Sequence, residues 1–317
     1  MNWSFLAAAA LLLSNLLGAD SPKKSDRPNE DWNSIYISKG ELKAREPLVG
    51  ETDEEPTFTR QLVEVAWRPA DPIYLFVMIP KLVAKPPIIL YLYTYPTETD
   101  RFLNERFCQE LTKNGFAAVG FASALTGHRY HDRPMRQWFI SELQESLGST
   151  THDVQMVLDY LATRNDMDMT RVGIFGEGSG GAIAALAAAA DPRIRAIDLL
   201  NPWGDWPNWL AKSRVVPETE RALYLKPEFL RSVANLDPIR WLPGLKIPIR
   251  LQYMNEGQTV PADARKRIEA AVPPQTLKIP SNRALAEYQA TAGGTFLDWI
   301  HDQLLTVPES PRPSSRF

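Results

Sequence analysis

One run in the middle of the chain, Gly176-Glu177-Gly178-Ser179-Gly180-Gly181, constrains the fold more than any other. It follows the apolar segment Arg171-Val172-Gly173-Ile174-Phe175 and precedes Ala182-Ile183-Ala184-Ala185-Leu186-Ala187-Ala188-Ala189-Ala190. A short β-branched and aromatic run reads as a buried strand, and the alanine-rich segment as a helix. The glycines between them permit a sharp reversal in backbone conformations that side chains resist. Strand, tight turn and helix in that order are the unit of a parallel α/β sheet.

The rest of the chain repeats this alternation. Leu62 to Trp67 and Ile73 to Ile79 read as an antiparallel hairpin, and Ile88 to Tyr93 as a strand buried on both faces. A helix over about 98–113 ends at Lys113-Asn114-Gly115, a basic last turn followed by helix-stop residues. Strands are predicted at Phe116 to Phe121, Ile194 to Leu200, Ile247 to Tyr253 and Thr276 to Ile279. A helix from Thr151 to Arg164 carries Val154, Val157, Leu158 and Leu161 on one face, and further helices lie near 262–271 and up to about Leu305. The prediction is an α/β domain over 59–305: a mostly parallel sheet with helices on both faces, an antiparallel N-terminal hairpin, and a Trp- and Pro-rich insertion at about 203–245. Residues 20–58 are polar enough for a linker or loosely docked arm, and 306–317 for a tail.

Composition narrows the function classes. A formal net charge of −3 without a basic block argues against nucleic-acid binding. Phe5 to Leu17, followed by Gly18-Ala19, has the form of an export signal over 1–19. It is too short for a bilayer span, which takes roughly 20 apolar residues. Cys108 is the single cysteine, so no disulfide forms within the chain, and export without disulfides suits a periplasm. No metal site or cofactor is expected.

The strand-turn-helix context is that of a G-x-S-x-G nucleophile elbow. The succession from about 60 to 305 resembles the α/β-hydrolase superfamily, in its exported esterase, dienelactone-hydrolase and prolyl-oligopeptidase-like branches. Arg171 to Gly181 carries most of the likeness, with Pro248 entering a late strand and Val260-Pro261 after it. The resemblance implies a Ser-His-acid triad and a lid at the 203–245 insertion. Residue by residue, the nucleophile position is Gly178, the acid position Gly257, and the loop for the histidine begins Pro280-Ser281-Asn282-Arg283-Ala284. The loop that helps form the oxyanion hole reads Tyr93-Thr94-Tyr95-Pro96. All three triad positions are unfilled, which predicts a non-catalytic protein binding a small molecule or a partner. Free N–H groups at the elbow would make an anion site of Gly176 to Gly181.

Two other readings stay open. Ser179 could serve as nucleophile with His128 or His131, which follow the C-terminal end of a strand, and with Asp205 as acid. The protein would then be an esterase or peptidase. Against this, Ser179 reads as a helix-start hydroxyl, and Glu177 would fill a position that requires a small side chain. Alternatively Gly176-x-Gly178-x-x-Gly181 is a dinucleotide fingerprint, with Asp198 as the ribose partner. His152 beside Asp153 and His301 between Asp298 and Asp302 read as local or surface residues. Trp203, Trp206 and Trp209 could form an aromatic platform with Tyr93 and Tyr95, or pack the insertion onto the body.

Overall fold

A computed structural model describes residues 30–38, 42–69, 71–95, 99–127, 129, 139–254, 259–281 and 297–306. The export-signal segment, His128, His131, Gly257, the loop 282–296 and the tail 307–317 lie outside the described residues.

The described strands form one nine-stranded sheet in the order β1-β2-β3-β5-β4-β6-β7-β8-β9. The strands are β1 (Leu48–Glu54), β2 (Phe58–Val65), β3 (Ile73–Pro80), β4 (Pro87–Leu92), β5 (Ala117–Gly120), β6 (Asp168–Glu177), β7 (Ile194–Leu200), β8 (Ile249–Met254) and β9 (Leu277–Ser281). The first strands pair antiparallel, and β3 meets β5 antiparallel as well. From β5 across to β9 all pairing is parallel.

Every residue of β4 is buried, and its side chains alternate between two cores. Ile88, Leu90 and Leu92 face one, shared with helices α2 (Leu143–Ala162) and α3 (Ser179–Ala190). Ile89 and Tyr91 face the other, shared with α1 (Glu105–Thr112) and α9 (Asp298–Leu305). The period of two in an uninterrupted apolar run is what a sheet covered on both faces demands. Truncating Leu90 to Ala would cost about 2–5 kcal/mol, since a packed core relaxes only partly into the space.

The α2 helix begins eight residues before the sequence-based start at Thr151. Gly148-Ser149-Thr150 looks like a helix break, but the hydroxyls of Thr150 and Thr151 donate to the carbonyls of Ser146 and Leu147, 2.7 Å away in each case. Bonded back in this way they no longer compete with the helix. Gly148 is needed for another reason. The backbone carbonyl oxygen of Trp32 lies 2.4 Å from where a Cβ would stand.

That contact belongs to the segment 20–58 that the sequence reads as a linker or loosely docked arm, of which residues 30–38 and 42–58 are described. Residues 30–38 dock on α2, with Ile35 fully buried and its carbonyl accepting from Gln155 Nε2 at 2.8 Å. Further on, β1 is a true strand whose side chains are almost all exposed, so its sequence carries no apolar alternation. The insertion folds into α4 (Trp206–Lys212), α5 (Arg221–Tyr224), α6 (Pro227–Val233) and α7 (Pro238–Trp241), with short 3-10 turns at Ala234–Leu236 and Leu242–Gly244. After β8 comes α8 (Ala262–Ala271).

Candidate functional site

The site to be tested is the turn between β6 and α3. Gly178 is its apex, at φ +56° and ψ −115°, a conformation that favours glycine. Its N–H donates to Leu200 O at 3.0 Å, and its carbonyl accepts from Ala182 and Trp203 N–H at 3.2 and 3.0 Å. The apex is therefore fixed from both neighbouring segments. A Cβ added to Gly178 would stand 2.3 Å from Thr94 Oγ1 and 2.7 Å from Thr94 Cβ. Thr94 fills the volume a nucleophilic side chain would need.

The neighbouring N–H groups are occupied too. In an elbow of this kind the oxyanion hole is made by the N–H following the nucleophile and an N–H from the loop after the adjacent strand. Here these are Ser179 and Tyr95. Ser179 N–H donates to Thr94 Oγ1 at 3.4 Å, and Tyr95 N–H donates to Ser179 Oγ at 3.1 Å. Two short side chains have closed the hole with internal hydrogen bonds. Ser179 itself is 1% exposed. Gly180 packs so tightly that a Cβ would lie 2.0 Å from Leu92 O.

Around this turn stand Glu177, Tyr93 and Arg101. Burial raises the Glu177 carboxyl above its ordinary range, with the Arg101 charge opposing. The Arg101 guanidinium lies 3.7 Å from the Tyr93 ring centroid. Burial pushes the Tyr93 phenol well above its usual value as well, again opposed by Arg101. Tyr95 is half-buried against the core under the insertion.

The two described histidines are elsewhere. His152, expected as a local residue at a helix start, is fully buried inside α2, because that helix starts at Leu143. Its ring nitrogens face Glu30 and Ser34. His301, read as a surface residue, is 4% exposed on the buried stripe of α9 that carries Ile300 and Leu304. It stacks on Phe116 with centroids 3.9 Å apart, and its Nδ1 lies 3.3 Å from Asn114 Nδ2. Burial lowers its pKa to about 4.

Asp205 caps α4 in a left-handed conformation, φ +55°. Its carboxylate accepts from Asn208 Nδ2 at 2.6 Å and pairs with Arg267 at 3.2 Å. Its N–H, with those of Trp206 and Ile239, donates to Asp237. Burial raises the Asp237 carboxyl although those three N–H groups hold it down. Sequence reasoning missed Asp237 and Thr94, because each acts through partners distant in sequence. Trp203 and Trp209 are 1% exposed or less, with ring centroids 4.5 Å apart. Trp206 donates from Nε1 to Leu236 O at 3.0 Å. These rings join the insertion to the body. Trp206, Leu230 and Ile239 line a cavity of about 330 Å³, with Asp205, Asp237 and Arg267 also on its wall.

Asp198, the residue a dinucleotide site would use, is fully buried in β7. Arg250 and Gln252 of β8 donate to it at 2.9 and 3.0 Å, so its carboxylate is committed to the sheet. Among the described residues no cluster of three His, Cys, Asp or Glu side chains could hold a metal, and no helix is long and apolar enough to cross a membrane.

No protein-family model matches the chain, and no curated protein matches it by sequence. Solved structures do. Acetyl xylan esterase 1 from Thermoanaerobacterium sp. JW/SL YS485 superposes with a TM-score of 0.62 at 14% identity, over 78% of this chain and 87% of its own. An acetyl xylan esterase from Paenibacillus sp. R4 gives 0.60 at 15% identity, over 76% and 82%. An S-formylglutathione hydrolase from Agrobacterium tumefaciens gives 0.57 at 13% identity, over 81% and 99%. The sheet order, the strand-turn-helix apex at Gly178 and these superpositions agree that the chain has the α/β-hydrolase fold.

Proposed function

We propose that this is an exported, non-catalytic protein of the α/β-hydrolase fold that binds a small molecule or a partner. The observation that supports this best is the filled apex. The side chain of Thr94 occupies the space that a Cβ at position 178 would need. A triad enzyme requires a nucleophile, a histidine to take its proton, and oriented donors for the developing oxyanion. Glycine stands at the first position, and the two backbone donors are bonded to Thr94 and Ser179. The described histidines have partners outside the turn. The cavity beside Trp206 is the place we assign to a small ligand. Export rests on the apolar run Phe5 to Leu17 alone.

Short-chain nitrophenyl esters and a fluorophosphonate probe test this together. The expected result is hydrolysis no faster than in buffer and no covalent adduct. Stoichiometric phosphonylation of Ser179 would overturn it in favour of a working esterase or peptidase. A titration with NAD and NADP is expected to give no heat, and saturable binding of either would revive the dinucleotide reading.

A further inference from the structure

The described arm ends in a carboxylate set deep in the protein. Glu30 has a side chain only 2% exposed. Arg68 holds it bidentately, Nε to Oε2 and Nη2 to Oε1, both at 2.6 Å. His152 Nδ1 approaches the same Oε1 at 2.6 Å. On the other side of the ring, Nε2 lies 2.9 Å from the carbonyl oxygen of Ser34. A carboxylate and a carbonyl oxygen accept hydrogen bonds and have no proton to donate. Neutral imidazole has one N–H and one bare nitrogen, so it satisfies only one of these neighbours. The imidazolium satisfies both.

The surrounding charges give a second, independent count. From the β2–β3 connection come Arg68 and Asp71, from the chain after β5 comes Arg129, and from α2 comes Asp153. Arg129 pairs with Asp71 at 2.7 Å and with Asp153 at 2.9 Å, and Arg68 also pairs with Asp153. Glu30, Asp71 and Asp153 supply three negative charges; Arg68 and Arg129 supply two positive ones. Among the described residues of this group, a positive His152 brings the count to three charges of each sign. An uncompensated buried charge is far costlier than a matched set.

We infer that Arg68 and His152 form a carboxylate-binding site, filled from within the same chain by Glu30, that holds the N-terminal arm in place while His152 is an imidazolium. Losing that proton leaves a lone pair facing an acceptor. The latch therefore holds while the ring carries both protons and loosens when it loses one. The arm also touches the insertion: Asn235 Nδ2 donates to Asn33 O at 2.6 Å, and Tyr36 meets Trp241 edge-on. Releasing it removes both of these contacts from the insertion.

The test uses the full chain with ¹⁵N-labelled histidine. At neutral pH the His152 ring is expected to show protons on both nitrogens, and a bare nitrogen there would overturn the inference. Amide exchange of residues 30–38, corrected for intrinsic rates, is expected to accelerate at least about tenfold once pH is raised far enough to remove one of those ring protons. A flat profile would overturn it too. In Glu30→Gly the same amides lose protection, and added formate or acetate is expected to restore it while chloride at equal ionic strength does not. Equal effects of chloride and carboxylate would mean that the pocket does not recognise carboxylates.

Discussion

Placing a serine at position 178 is the most direct test of how the turn is built. In Gly178→Ser two costs arise in the folded state. A Cβ at φ +56° is held in a sparsely populated backbone region, worth about 1–3 kcal/mol. The new atom also stands 2.3 Å from Thr94 Oγ1, and overpacking of this kind costs about 1–3 kcal/mol. Together they predict a loss of about 2–6 kcal/mol by urea denaturation, with no gain in ester hydrolysis. The two costs separate in a cycle with Thr94→Gly, which removes both clashing atoms. The double variant should recover the overpacking part, giving a favourable coupling of about 1–3 kcal/mol, and should retain the backbone part. If Gly178→Ser were as stable as the parent protein, Thr94 would not be the occupant of the apex. If it hydrolysed esters with a pH profile set by a histidine, the proposed loss of catalysis would be refuted.

Three further outcomes follow from the same structure. His301 has a folded pKa of about 4 against an ordinary 6.5, so its contribution to stability is complete above pH 6.5 and is lost as pH falls towards 4. Between pH 7 and pH 3.5 the parent protein should lose about 3 kcal/mol more than His301→Phe, which keeps the stacking on Phe116 without the titration; equal losses would show that the ring is not buried as a neutral group. Burial pushes the Cys108 thiol up to about 11. Iodoacetamide should therefore label it at least about 100-fold more slowly in the native than in the urea-unfolded protein, and matching rates would refute its burial. Asp198→Asn should cost about 1.5–3 kcal/mol in urea denaturation because the buried charge-assisted hydrogen bonds from Arg250 and Gln252 are weakened, and a change under about 0.5 kcal/mol would contradict that pairing.

The fold was legible wherever one periodicity dominated. The unbroken run at β4, the hairpin of β2 and β3, and the strand-turn-helix apex each announced their place through apolar spacing alone. Where partners lie far apart, the sequence was silent. The charged run of β1 has no alternation because both its faces are exposed, and the Gly-Ser-Thr break in α2 becomes helix only when the Trp32 backbone packs there. For His301 the signal was present: Leu297, Ile300, His301 and Leu304 share one helical face, but Asp298 and Asp302 drew attention to the other. At the site, the absence of a serine at 178 could be read directly. That Thr94 takes up the volume beside Gly178 could not, since 84 positions separate it from the turn.

The docked arm also bears on the order in which the protein acquires its structure. Its contacts reach 122 positions forward to His152 and 202 positions forward from Asn33 to Asn235. Loops of that length close late, after local helices and neighbouring strands have formed. A chain synthesised from its N-terminus makes this segment early, yet the sockets for it appear only after α2 and the insertion have emerged. Until then Glu30 stays in water. The piece made among the first is thus among the last to find its seat.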